Sequence, residues 1–111
     1  MTKIFCDIAD IKVIKKFNKK KLVKGFTTNP SLMRNAGAKN YSQYSKKILK
    51  ISKKKPVSLE VFADDMKNMR KQAITINSWG NNVYVKIPVT NSKGKFMGKL
   101  IKDLNNLNIK L

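Results

Sequence analysis

Leu22-Val23-Lys24-Gly25-Phe26-Thr27-Thr28-Asn29-Pro30-Ser31-Leu32-Met33 reads as a strand that turns directly into a helix. Leu22 to Phe26 has strand length, with β-branched and aromatic residues. Asn29 suits an N-cap and Pro30 the first helical position, where a missing N–H costs nothing. The stretch is therefore one βα unit, and its neighbours on both sides repeat the plan. Three other apolar runs have the same character: Ile4 to Ile8, Pro56 to Phe62 and Val83 to Ile87. Helical spacing follows each of them. Asp10 can cap a helix carrying Ile11, Ile14 and Phe17, and Tyr41, Tyr44, Ile48 and Ile51 mark a further helix. Asp64 or Asp65 can cap one with Met66, Met69 and Ala73, and Phe96, Leu100, Leu104 and Leu107 mark the last.

The order is β-α-β-α-β-α-β-α, which argues for an α/β fold with a parallel sheet. The chain has 111 residues, enough for one domain. Each unit takes about 28 residues, and eight such units would need about 220, close to a (β/α)8 barrel. Asn108 to Leu111 resemble the entry to another strand. Two architectures fit the periodicity: a complete small doubly wound sheet, or half of a barrel.

Composition excludes several chemistries. There is no histidine, so no His-based triad, His-ligated metal or His general base, and the single Cys6 allows no intramolecular disulfide or Cys-rich zinc site. Cys6 is expected as a small buried apolar residue. No apolar run approaches the ~20 residues of a membrane span, and Met1 to Asp10 lack the pattern of a signal peptide, so a cytoplasmic location is expected. The formal net charge is +19, which would attract a polyanion. Yet 23 of the 25 basic residues are lysine, with only Arg34 and Arg70 as arginine, the residue that reads bases and phosphates bidentately. Lysine, asparagine and isoleucine share A- and T-rich codons, and the lysines run from Lys3 to Lys110. The charge therefore reads mainly as a solvated surface, with Lys19 to Lys21 and Lys53 to Lys55 in loops or helix ends. A nucleic-acid-binding module is the less favoured alternative, because aromatic residues are few.

Polar residues inside the apolar runs carry the functional signal. Lys86 lies between Val85 and Ile87, in a strand that a parallel sheet would bury on both faces. A desolvated lysine has a lowered pKa and a nucleophilic neutral amine, as Schiff-base chemistry requires. The alternative is an edge strand with Lys86 pointing to water. Asp7 and Glu60 lie toward the C-terminal ends of two other strands, the end where function gathers in parallel α/β folds. Two carboxylates beside a buried lysine could do general acid/base work. Thr27 and Thr28 would bring hydroxyls, and Asn29 an amide, to the same end.

Phe26-Thr27-Thr28-Asn29-Pro30-Ser31-Leu32-Met33 resembles the transaldolase signature, TTNPS followed by apolar residues. Val83 to Thr90 resembles that family's active-site lysine segment, Ile4 to Asp10 its first-strand aspartate motif, and Ser58 to Val61 its third-strand segment. The resemblance is closest to the small bacterial-type transaldolases that adjoin the fructose-6-phosphate aldolases. It implies a TIM-barrel family fold, of which residues 1–111 are a single incomplete domain, the first four βα units.

By resemblance, Lys86 is the Schiff-base lysine. Its amine attacks the C2 carbonyl of a ketose phosphate, and water leaves to give an iminium. The C3–C4 bond cleaves, an aldose phosphate departs, and the retained dihydroxyacetone unit adds to an acceptor aldehyde. Asp7 matches the acid/base at the C4 hydroxyl, and Glu60 the carboxylate that activates the water. Asn29 matches a residue that bonds the donor's hydroxyls, and Thr28 stands on the same substrate-binding side, steadying it from behind. A glutamate at position 60 goes with transaldolases and a glutamine with the direct aldolases, so the lyase is the alternative. No metal or organic cofactor is implied. The implied partners are sugar phosphates of the pentose phosphate pathway, with a homo-oligomer open to the full-length protein. The family continues past Leu111 with its phosphate-binding arginine, so the 111-residue chain is expected to show little or no turnover.

Overall fold

The computed structural model describes residues 2–111. Its elements are β1 (Ile4–Asp7), α1 (Ile11–Asn18), β2 (Val23–Thr27), α2 (Pro30–Asn35), α3 (Tyr41–Ser52), β3 (Val57–Glu60), α4 (Met66–Asn77), β4 (Val83–Lys86) and α5 (Gly98–Asn106). Local chemistry sets most boundaries. Asp10 accepts from the Val13 N–H at 3.1 Å and caps α1, and Asn29 accepts from Leu32 N–H at 2.8 Å with Pro30 next, as read from sequence. Of the two aspartates before α4, Asp65 is the cap, taking the Asn68 N–H at 2.9 Å. Asp64 accepts instead from the Ser92 N–H and Oγ at 2.9 and 2.6 Å, which ties the loop after β3 to the loop after β4.

The four strands are parallel and lie in the order β1-β2-β3-β4. A doubly wound sheet would reverse its order and carry helices on both faces. Here every crossover steps the same way, so right-handed connections place the helices on one side. Burial shows the result. Val57, Leu59, Val83 and Val85 are buried against the helices, while Ser58 and Glu60 are half-buried and Tyr84 and Lys86 exposed on the other face. This singly wound, half-barrel-like arrangement is that of the first four units of a (β/α)8 barrel.

The covered face forms the core. Phe26, Ile14, Ile48, Met69, Leu59 and Leu104 are each at most 1% exposed, and each burial contributes about 2 kcal/mol. Two sequence expectations fail here. Phe96 and Leu107 do not share the buried stripe of α5; they are 65% and 46% exposed. Residues 90–96 form a tight turn instead, with Gly94 at φ +78° and Thr90 bridged to Phe96, so the helix begins only at Gly98. Met97 fills the core position in its place. Cys6 is half-buried, because β1 is an edge strand.

At the other edge, Val85 N–H donates to the Lys110 carbonyl at 2.8 Å and Ile109 is buried. The tail thus runs beside β4 where a fifth strand would lie. Among the described residues, no helix is long and apolar enough to cross a membrane.

Candidate active site

Side chains alternate along a strand, so register decides which residues share the uncovered face. Asp7 pairs with Thr27, Thr27 with Ser58, and Ser58 with Tyr84, forming one row across all four strands. Glu60 and Lys86 pair in the row beyond, nearer the C-terminal ends of β3 and β4. The expected residues Asp7, Glu60 and Lys86 therefore emerge on a single face.

They are not all neighbours. Glu60 and Lys86 sit on adjacent strands, but Asp7 is on β1 and Lys86 on β4. Three strand spacings separate them, about 14 Å measured along the sheet. Register thus gives the lysine one carboxylate as its direct partner, Glu60, with Asp7 three strands away on the same face. Burial of Lys86 is also not found. It is exposed, because β4 has helices behind it and, among the described residues, no layer in front. Among the described residues the one ion pair is Arg70 to Asp103 at 2.7 Å, so the Lys86 amine is not held by a carboxylate.

The signature segment divides its hydroxyls between the two faces. Thr27 Oγ1 donates to Asp7 Oδ1 at 2.8 Å, which fixes that carboxylate on the open face. Thr28 points the other way and is 0% exposed. Its Oγ1 donates to the Ser58 carbonyl at 2.8 Å, alongside its own N–H at 3.2 Å. Thr28 therefore cannot touch a substrate; it clamps the end of β2 to β3. Replacing it with valine keeps the shape and removes one buried hydrogen bond. Thr28→Val is expected to cost about 1 kcal/mol in urea unfolding, with the slope unchanged.

Asn29 spends its Oδ1 on the helix cap, which leaves the amide NH2 free to donate. It borders a hollow of about 460 Å³ shared with Glu60, Phe62, Asp64 and Pro88. Below it on the same face is a cleft of about 300 Å³ lined by Phe5, Thr27, Ser58 and Tyr84. Ser58 and Tyr84 thus join Thr27 on the wall of the candidate site, although the sequence singled out only the charged residues, Thr27, Thr28 and Asn29. The signal that could have found them is parity, since each lies an even number of residues from a charged member of its face or opposite one.

Tyr41 supports the rim. Its hydroxyl donates to the Glu60 carbonyl at 2.8 Å, and its ring meets Phe62 edge-on at 5.4 Å. Burial pushes the hydroxyl from an ordinary 10 up to about 12, and the nearby Glu60 carboxylate adds to the rise. The folded state holds this proton more tightly than the unfolded chain. That stability is present below pH 10 and is lost as pH rises from 10 to about 12. Tyr41→Phe is expected to flatten that alkaline decline in a pH series of thermal melts, while losing about 1 kcal/mol at neutral pH.

Comparison with known proteins places this geometry. The family described as Transaldolase/Fructose-6-phosphate aldolase matches residues 4–111. A "Probable transaldolase" of Dehalococcoides mccartyi is 38% identical over 109 residues, 98% of this chain and 50% of that protein. One of Methanococcus vannielii is 39% identical over 109 residues, again 98% and 50%, and one of Brucella anthropi is 38% identical, 98% and 49%. The chain spans about half the length of these curated relatives. With the signature turn, the strand lysine and the singly wound parallel sheet all in register, the chain belongs to the transaldolase/fructose-6-phosphate aldolase family.

Proposed function

We propose that this chain carries the Schiff-base half of a transaldolase site, which moves a dihydroxyacetone unit between ketose and aldose phosphates in the pentose phosphate pathway. The observation that carries the reading is the Glu60–Lys86 pair, register partners at the C-terminal ends of adjacent strands on the uncovered face. The Lys86 amine attacks the C2 carbonyl of a ketose phosphate. Glu60 gives a proton to the departing hydroxyl, water leaves, and an iminium links sugar and lysine. The iminium draws the electrons of the C3–C4 bond as it breaks, and an aldose leaves. Asp7, steadied by Thr27, takes the C4 hydroxyl proton. The NH2 of Asn29 holds a donor hydroxyl. The resulting enamine adds to an acceptor aldehyde, and Glu60 activates the water that frees the product. In this reading the protein is cytoplasmic, and the whole assembly is a homo-oligomer.

Glu60 supports transfer over simple cleavage by resemblance, since a glutamate at this position goes with transaldolases and a glutamine with the direct aldolases. The test is reductive trapping. Borohydride added with fructose 6-phosphate should fix a sugar adduct on the peptide containing Lys86. Labelling scattered evenly over the 23 lysines would overturn the reading.

A further inference from the structure

Parallel strands all begin at one end, so the loops entering β2, β3 and β4 gather there together with the tail. Those segments hold Lys19-Lys20-Lys21, Lys53-Lys54-Lys55 and Lys110, and no acid. Five of the six acids, Asp7, Asp10, Glu60, Asp64 and Asp65, lie at the opposite end or in the loops there. The sixth, Asp103, is taken by Arg70. Two lysine runs and Lys110, far apart in sequence, thus meet at the end of the sheet away from most of the acids.

Hydrogen bonds stitch the basic loops together. Lys55 Nζ donates to the carbonyls of Asn18 and Lys20 at 2.7 and 2.9 Å. Asn82 Nδ2 donates to the Lys55 and Leu49 carbonyls at 3.1 and 3.2 Å. Lys110 Nζ donates to Asn81 O at 2.7 Å and lies 5.2 Å from the centre of the Tyr84 ring. Lys53 is held at φ +57°, a conformation that glycine adopts at far lower cost. Between them is a cleft of about 510 Å³ lined by Lys53, Lys54, Asn81, Asn82, Tyr84 and Lys110.

We propose that this end of the sheet is a polyanion site that takes single-stranded nucleic acid, with Lys53, Lys54 and Lys110 on its phosphates. Charge complementarity is the first argument: six of these seven lysines are exposed, Lys55 being half-buried against backbone carbonyls, and no acid lies among them. Shape is the second. The cations surround a concavity with an aromatic ring in its wall, which a flexible strand can enter and stack within, whereas a flat bilayer or a rigid duplex cannot. The absence of arginine here makes the binding sequence-tolerant, since lysine acts as a point charge.

The test is fluorescence anisotropy of the full chain with a labelled oligothymidylate of about 15 nucleotides, titrated at several salt concentrations. Binding is expected in the micromolar range at low salt. The triple variant Lys53→Gln, Lys54→Gln, Lys110→Gln should weaken it about tenfold and shrink the log–log salt slope by about 2. A charge-matched control, Lys67→Gln, Lys93→Gln, Lys99→Gln, should change affinity less than about twofold. Circular dichroism melts verify that both variants fold. Equal losses in the two triples would reduce the effect to overall charge and overturn the proposal. So would binding to phosphatidylglycerol vesicles that depends on the first triple while the oligonucleotide does not bind.

Discussion

Lys86→Ala is expected to erase the borohydride-trapped fructose 6-phosphate adduct from its peptide, leaving only the faint background shared by the other lysines. The reason is position rather than basicity. The chain offers 23 lysine amines, most of them exposed. Among the described residues, only Lys86 has a carboxylate as its register partner on the open face, where Glu60 can donate and recover the proton that dehydration needs. Glu60→Gln should accordingly slow adduct formation while leaving it at Lys86. The slowing should fall at the low end of general acid–base effects, about 100-fold, because water reaches this uncovered face. Turnover is a different matter. The described residues supply one wall of the site, and formation of sedoheptulose 7-phosphate by the purified chain is expected to be undetectable. The measurement is the mass-spectrometric yield at each lysine peptide, with the turnover assay run in parallel. An adduct yield that survives Lys86→Ala would remove the mechanism.

Gly25→Ala is expected to destabilise the fold by about 3 kcal/mol, among the largest losses a single methyl group causes. A Cβ at Gly25 would stand 2.5 Å from the Phe5 ring and 2.6 Å from the Pro56 carbonyl oxygen. The ring can swing away into the open cleft, but the carbonyl cannot. It accepts the Phe26 N–H at 2.9 Å and so helps join β2 to β3. The two obstacles can be separated. Phe5→Ala in the Gly25→Ala background should restore less than half of the loss, because the backbone clash remains. Urea unfolding of the two single variants and the double variant measures this. Full rescue by Phe5→Ala would show that the ring, not the carbonyl, sets the limit.

Much of the fold was legible from local rules. Asp10 and Asn29 each announced a helix start that the structure keeps, since a cap needs only its own residue and the amide three positions on. Asp64 was indistinguishable from Asp65 by that rule, because its actual partner, Ser92, lies 28 residues away. Phe96 fitted a helical stripe, yet the turn around Gly94 ends just before the helix begins. Thr28 looked equivalent to Thr27 in the signature. Alternation puts one on the open face and the other under the helices, and which is which depends on where the helices pack.

By itself the sequence determined the alternation of strands and helices, the family, and the short set of polar residues placed where a strand should be apolar. Those features are local, since period, caps and motifs are read within about ten residues of each other. Only the tertiary structure decided that the sheet is singly wound, because strand order is set by pairing between segments about 20 to 30 residues apart. That order left one face bare, which exposed Lys86 and set Asp7 far across the sheet from it. It also sorted the charge. A chain whose lysines run evenly from Lys3 to Lys110 became a molecule with five of its six acids at one end of the sheet and its lysine runs at the other. Parallel strands bring every entering loop to the same end, and spacing along the chain carries no record of that.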